Sequence, residues 1–235
     1  MTVSIILLCF GALMSLLFIV SKVINYSLKT IVLKTIASLF FVALGIYCAV
    51  TTPGSIPFKV LVNLGLFFGM LGDVLLGFKY ITTRTKNIWI LAGMFAFAFG
   101  HIFYVVALFV GYYVPGNPWF IVLPFLTAIL ISSLYMVVSR KAGINFGKML
   151  LFGLFYLFCL TSMVSTSLYM NILHGFSLTN LTMFFIAALC FATSDFMLTG
   201  AYFKPGKRSK AYMATYSVFY YVAQFLIAFS LLYLG

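Results

Sequence analysis

Two aspartates are the entire acidic complement of this 235-residue chain, and each lies in an apolar run long enough to cross a bilayer. Asp73 sits in "GMLGDVLLGF" (69–78) and Asp195 in "SDFMLTG" (194–200). An ionised Asp near the bilayer centre costs about 2.5–3.5 kcal/mol on insertion scales, so acids placed there point to function rather than to simple interhelix bonding. Low dielectric and a like-charged neighbour both favour a neutral carboxyl group. Two carboxyl groups in one site therefore split, one keeping its proton while the other ionises. General acid–base chemistry needs such a pair.

Other polar side chains lie at membrane depth. "AGMFAFAFGHIFYVVAL" carries His101, with Tyr104 one turn on. "VFYYVAQFLIAF" carries Tyr220, Tyr221 and Gln224, and Ser194 adjoins Asp195. These six are the candidate substrate-binding residues, as a proton shuttle or hydrogen-bond donors beside the acids, with core packing and interhelical bonding as the competing readings. Ser162, Ser165 and Tyr169 share a helical face and read as packing, and His174 reads as a solvated turn residue. With two histidines in all, a three-His zinc hydrolase has too few ligands, and neither G-x-S-x-G nor a P-loop occurs. The expectation is no metal and no cofactor. Cys9, Cys48, Cys159 and Cys190 lie in apolar runs without a CxxC pair and read as small buried hydrophobes.

The elements that position these residues follow from composition. With 65% hydrophobic residues, 7% charged residues and a mean hydropathy of +1.20, the chain has too little polar surface for a soluble domain. A spanning helix needs about 20 mostly apolar residues. Eight windows qualify, at 2–21, 31–51, 56–78, 88–111, 118–138, 147–170, 177–201 and 211–234. The expected fold is all-α: a polytopic bundle of eight transmembrane helices forming a single domain over 1–235. The first window lacks a basic n-region and an A-x-A site and reads as a span rather than a signal peptide.

Every Lys and Arg except Lys59 falls in or beside an odd-numbered loop. The positive-inside rule then places odd loops in the cytoplasm and both termini outside. The net charge of +12 is mostly topology; it suits anionic head groups and gives no case for nucleic acid. Counting residues to the next basic side chain puts Asp73 roughly 9 Å and Asp195 roughly 13 Å from the cytoplasmic ends of spans 3 and 7. Small residues accompany both acids: Gly65, Gly69 and Gly77 around Asp73, and Ala188, Ala192 and Thr199 around Asp195. Close helix approach at such stripes turns the acids into the bundle. "GDVLLGF" and "SDFMLTG" also echo each other four spans apart, consistent with a 4+4 parallel duplication.

"LGDVLL", "AFGHIFYVVAL", "SDFML" and "YYVAQFLIA" resemble the signature segments of the YhhN-type lysoplasmalogenases. The resemblance lies in spans 3, 4, 7 and 8; the other spans match in hydropathy alone. It implies an eight-span hydrolase that cleaves the vinyl-ether bond of lysoplasmalogens to a fatty aldehyde and glycerophosphoethanolamine or glycerophosphocholine. The family's two essential aspartates correspond to Asp73 and Asp195, its signature His to His101, and its terminal segment to Tyr220, Tyr221, Ala223 and Gln224. Protonation of the β-carbon of a vinyl ether gives an oxocarbenium-like cation that water attacks, a task for one neutral acid and one carboxylate, as in glycosidases. Either Asp could take either role. A lysolipid entering sideways from the bilayer would place its phosphate near Lys79, Arg84, Lys204, Lys207 or Arg208, with Tyr80 and Tyr202 as interfacial residues. Two other classes compete: a proton- or cation-coupled transporter using the paired acids, and a lipid-binding protein without turnover. The short loops lead to the expectation of a bacterial cell membrane. Oligomeric state is open.

Overall fold

Eight apolar runs become eight long helices in the computed structural model, which describes residues 1–79, 81, 83–206 and 208–234. They are α1 (Thr2–Ile24), α2 (Leu28–Thr51), α3 (Ile56–Phe78), α4 (Lys86–Tyr112), α5 (Trp119–Lys141), α6 (Leu150–Leu173), α7 (Thr179–Phe203) and α8 (Lys210–Ser230). Short 3₁₀ turns precede α4 and α6 and follow α8, and the described residues contain no strand. At 1.5 Å per residue each helix covers a hydrocarbon core of about 30 Å, and the chain is an integral membrane protein.

Helix ends depart from the apolar windows by a few residues. α1 runs on to Ile24 and α5 to Lys141, because Lys22, Arg140 and Lys141 fit the last turn of a helix, where cations offset the exposed carbonyls. α2 begins earlier, at Leu28, because Ser27 and Thr30 form a capping box. Ser55 accepts from the Phe58 amide with Pro57 in the first turn of α3, and Ser209 accepts from the Tyr212 amide at 3.1 Å.

Glycines set the closest approach in the bundle. A Cβ on Gly100 of α4 would lie 3.1 Å from the Gly65 carbonyl oxygen of α3, and one on Gly93 would lie 3.4 Å from that of Gly72. The expected small-residue stripe on α3 divides among neighbours. Gly65 receives the Tyr104 ring of α4, Gly69 the Gln224 amide of α8, and Gly77 the Ile31 side chain of α2. Positions four apart drift around a helix of 3.6 residues per turn, and α3 packs against α2, α4 and α8. Gly65→Ala is therefore a sharp probe: its Cβ would stand 2.2 Å from a buried Tyr104 ring atom. The expected cost is about 1–3 kcal/mol, read as a lower melting temperature in detergent; an unchanged midpoint would contradict this packing.

The neighbour pattern repeats after four helices. α1 packs on α2, α2 on α3 and α3 on α4; likewise α5 packs on α6, α6 on α7 and α7 on α8. The halves join where α2 meets α8 and α6 meets α4. α3 and α7, the two aspartate helices, hold corresponding places. Outward-facing Val50, Leu130, Leu134 and Leu151 are exposed, as lipid-facing side chains should be.

Candidate functional site

Each aspartate is held by a helix from its own half. The carboxylate of Asp73, 1% exposed, takes Lys34 Nζ at 2.8 Å on Oδ1 and the Ser38 hydroxyl at 2.5 Å on Oδ2. Both partners stand on α2, one turn apart. α8 adds the Tyr220 hydroxyl, donating to Oδ2 at 2.7 Å. Asp195, 5% exposed, has a sparser setting: the Tyr156 hydroxyl of α6 donates to Oδ2 and is the one donor to this carboxyl group among the described residues. Lys34 and Tyr156 each precede their acid by 39 positions. The pairs α2–α3 and α6–α7 thus put a cation beside one acid and a phenol beside the other.

Asp73 and Asp195 line one small cavity with Lys22, Lys34, Ser194 and Tyr220. A second small cavity abuts it. Leu76, Phe97, Asp195, Leu198 and Tyr202 line both. The rest of the second wall is mostly apolar or aromatic, including Met94, Phe146, Leu157, Leu160 and Phe196. Asp195 therefore stands at the junction of a cationic compartment and a greasy one, whereas Asp73 lies in the cationic compartment. The rings of Phe97, Phe191 and Tyr220 pack edge-on, at centroid separations of 5.4–6.2 Å, beneath the acids.

The other sequence candidates divide into two layers. Tyr220 touches Asp73 directly, and Ser194 lines the cavity but donates its hydroxyl to the Tyr216 carbonyl at 2.8 Å. Gln224, fully buried, donates to the Tyr220 hydroxyl at 3.1 Å and accepts from Tyr104 at 3.3 Å. Tyr104 and Gln224 line neither cavity; Gln224 is bonded to Tyr220, and Tyr104 to Gln224. His101 also lies outside both walls, packed on Phe191 at 4.8 Å between ring centroids, with Nε2 3.5 Å from the Tyr156 hydroxyl. Tyr221 faces a separate apolar groove between α1 and α8.

The basic residues expected near a phosphate are also sorted. Lys79 is buried, its Nζ 3.0 Å from the centroid of the cavity-lining Tyr202 ring. Burial, then the nearby Lys34, Lys22 and Lys86 charges, push its ammonium well below the ordinary lysine range. Arg84 and Lys204 are exposed and line neither cavity. Arg208 closes the end of α7, donating to the carbonyls of Gly200 at 3.2 Å, Lys204 at 2.9 Å and Pro205 at 3.2 Å. Its fork is thus engaged as a C-terminal cap. Lys207 and Tyr80 lie outside the described residues.

Sequence reading missed Lys22, Lys34, Ser38 and Tyr156. A signal for two of them exists in the equal spacing of Lys34 and Tyr156 from their acids. Among the described residues no group of three or more His, Cys, Asp or Glu side chains is arranged to hold a metal ion.

No curated protein and no solved structure matches the chain. The YhhN family profile matches residues 28–231, from the first residue of α2 through the whole of α8. That stretch contains both aspartates and the four side chains bonded to them, and the chain belongs to the YhhN family.

Proposed function

We propose that this protein hydrolyses the vinyl-ether bond of lysoplasmalogens within the membrane, releasing a fatty aldehyde and a glycerophospho-base. The observation that carries the reading is Asp195 at the junction of a cationic and an apolar compartment, with Asp73 in the cationic one. A single-chain ether lipid has this polarity. Its chain suits the apolar compartment and its glycerol the polar one, which sets the alkenyl bond beside Asp195.

The unlike partners assign the roles. A carboxylate bonded to an ammonium and two hydroxyl groups is stabilised as the anion, so Asp73 is the carboxylate. Among the described residues Asp195 has no cation in contact; Tyr156 engages Oδ2, and in the proposed mechanism the other oxygen carries the proton. Asp195 donates it to the β-carbon as the alkene electron pair forms the new C–H bond. The resulting positive charge, shared by the α-carbon and the ether oxygen, develops near the Asp73 carboxylate. A water molecule oriented by Asp73 bonds the α-carbon and gives up a proton to the pair, restoring the acid. The hemiacetal then breaks its C–O bond to the glycerol as its hydroxyl proton passes, through the acid pair, to the leaving oxygen, giving aldehyde and alcohol. His101, Tyr104 and Gln224 act as positioning residues through Tyr156 and Tyr220.

Placement of the basic loops in the cytoplasm, with both termini outside, would open this site toward the inner leaflet of a bacterial cell membrane. Purified protein in detergent should release aldehyde and glycerophospho-base in equal amounts from a lysoplasmalogen. Activity should withstand EDTA, since the donors needed for a metal are lacking in the sequence. Absence of aldehyde, or its loss on chelation, would count against the mechanism.

A further inference from the structure

Two lysines line the cavity beside the aspartates, and only one of them is bonded to an acid. Lys34 is committed to Asp73, but Lys22 has no carboxylate within ion-pair distance among the described residues. Its Nζ donates to the Ser217 hydroxyl at 2.8 Å and lies 4.0 Å from the Tyr216 ring centroid and 5.5 Å from that of Phe18. Ser217 in turn donates to the Met213 carbonyl at 2.8 Å, which fixes its oxygen as the acceptor. Lys22 thus uses one of its three donors on a neutral group and keeps two for the cavity it lines. Topology alone would be served by a lysine in water. Here the ammonium lies over aromatic rings and Lys22 lines the cavity that holds both acids. Lys79 packs over the Tyr202 ring and lies outside the cavity wall.

We infer that Lys22, supported by Lys34, forms an internal site for a phosphate-ester anion, occupied by the head-group phosphate of a lysophospholipid. The inference rests on the reading of the cavity as a lysolipid site and adds what fixes the head group. Lys22 belongs to α1, which lies outside the residues matched by the family. Three glycerol carbons separate a lysophospholipid phosphate from its ether oxygen, a short link between the two lysines and the two aspartates that line one wall. The exposed Arg84 and Lys204, and Arg208 in its capping role, stand outside that cavity.

Two substrates test this: a lysoplasmalogen, and the 1-alkenylglycerol that lacks its phosphate. Wild-type protein should prefer the former. Lys22→Gln should cut the ratio of the two kcat/KM values about tenfold, the scale of a lost charge-assisted hydrogen bond, mainly through KM. Lys22→Arg should restore most of the ratio, and Lys29→Gln, at an exposed lysine, should not move it. A Lys22→Gln ratio equal to that of wild type would overturn the site. A second arm needs no turnover: binding of a labelled 1-O-alkyl lysophosphatidylcholine, whose saturated ether is not a substrate, to detergent-solubilised protein. Lys22→Gln should weaken this binding about tenfold and leave binding of labelled 1-O-alkylglycerol within twofold. Equal weakening of both ligands would overturn the site. Displacement by unlabelled lysophospholipid and not by inorganic phosphate identifies the head group as ligand; displacement by inorganic phosphate alone overturns the head-group assignment. If wild type binds the alkyl lipid through Lys22 but releases no aldehyde, the phosphate site stands and the hydrolase reading falls.

Discussion

Asp195→Asn is expected to lower aldehyde release by about 10²–10⁴-fold, the usual worth of a positioned acid, while the protein still folds. Asn has nearly the same shape, and its carbonyl oxygen can still accept from Tyr156, so the bond between α6 and α7 survives. What disappears is a proton that can be given to carbon. Vinyl-ether hydrolysis has no other demanding step for the protein to assist at the β-carbon, so the loss should fall on kcat with KM little changed. The check is steady-state aldehyde release alongside thermal melting. A variant that keeps its melting temperature and its rate would remove Asp195 from the chemistry.

Lys34→Met should be the most damaging single change to the bundle. It leaves Asp73, 1% exposed, without its cation inside the membrane. Removing one partner of a buried ion pair costs about 3–5 kcal/mol, chiefly because the other charge is left uncompensated. Ser38 and Tyr220 still donate to Asp73 and soften the loss but supply no charge. Pairing the change with Asp73→Asn removes the stranded charge, so the double variant should melt well above Lys34→Met alone. It should nonetheless release no more aldehyde than Asp73→Asn. Thermal unfolding of the three variants in one detergent decides this. A Lys34→Met protein as stable as wild type would show that the pair is not structurally coupled.

The eight spans were legible because length and hydropathy alone determine them. The inward turn of the acids was legible too, since Gly65, Gly69, Ala188 and Ala192 mark where helices meet. Sequence gives the depth of a side chain in a span much better than the direction it faces. His101, Tyr104 and Gln224 therefore read as cavity residues when they stand one layer behind Tyr156 and Tyr220. Lys22 and Lys34 read as topology signals because a lysine near a helix end serves the positive-inside rule whichever way it points. Only the packing of α1, α2 and α8 turns both into one cavity. Arg208 misled for a local reason: the short return from α7 to α8 brings its guanidinium onto the carbonyls that end α7. Tyr156 had no motif around it, and its place emerges only when α6 is laid over α2 through the repeat.

In the proposed mechanism Asp73 and Asp195 act as one unit on one bond, and the double-mutant comparison addresses that most directly. Aldehyde release should be measured for Asp73→Asn, Asp195→Asn and the two combined, each at saturating lysoplasmalogen and with folding verified by melting. Residues of one catalytic unit are strongly non-additive, so the combined variant should be no slower than the worse single variant. Losses that multiply, with each Asn change subtracting its full factor from the other, would mean that the two aspartates work apart.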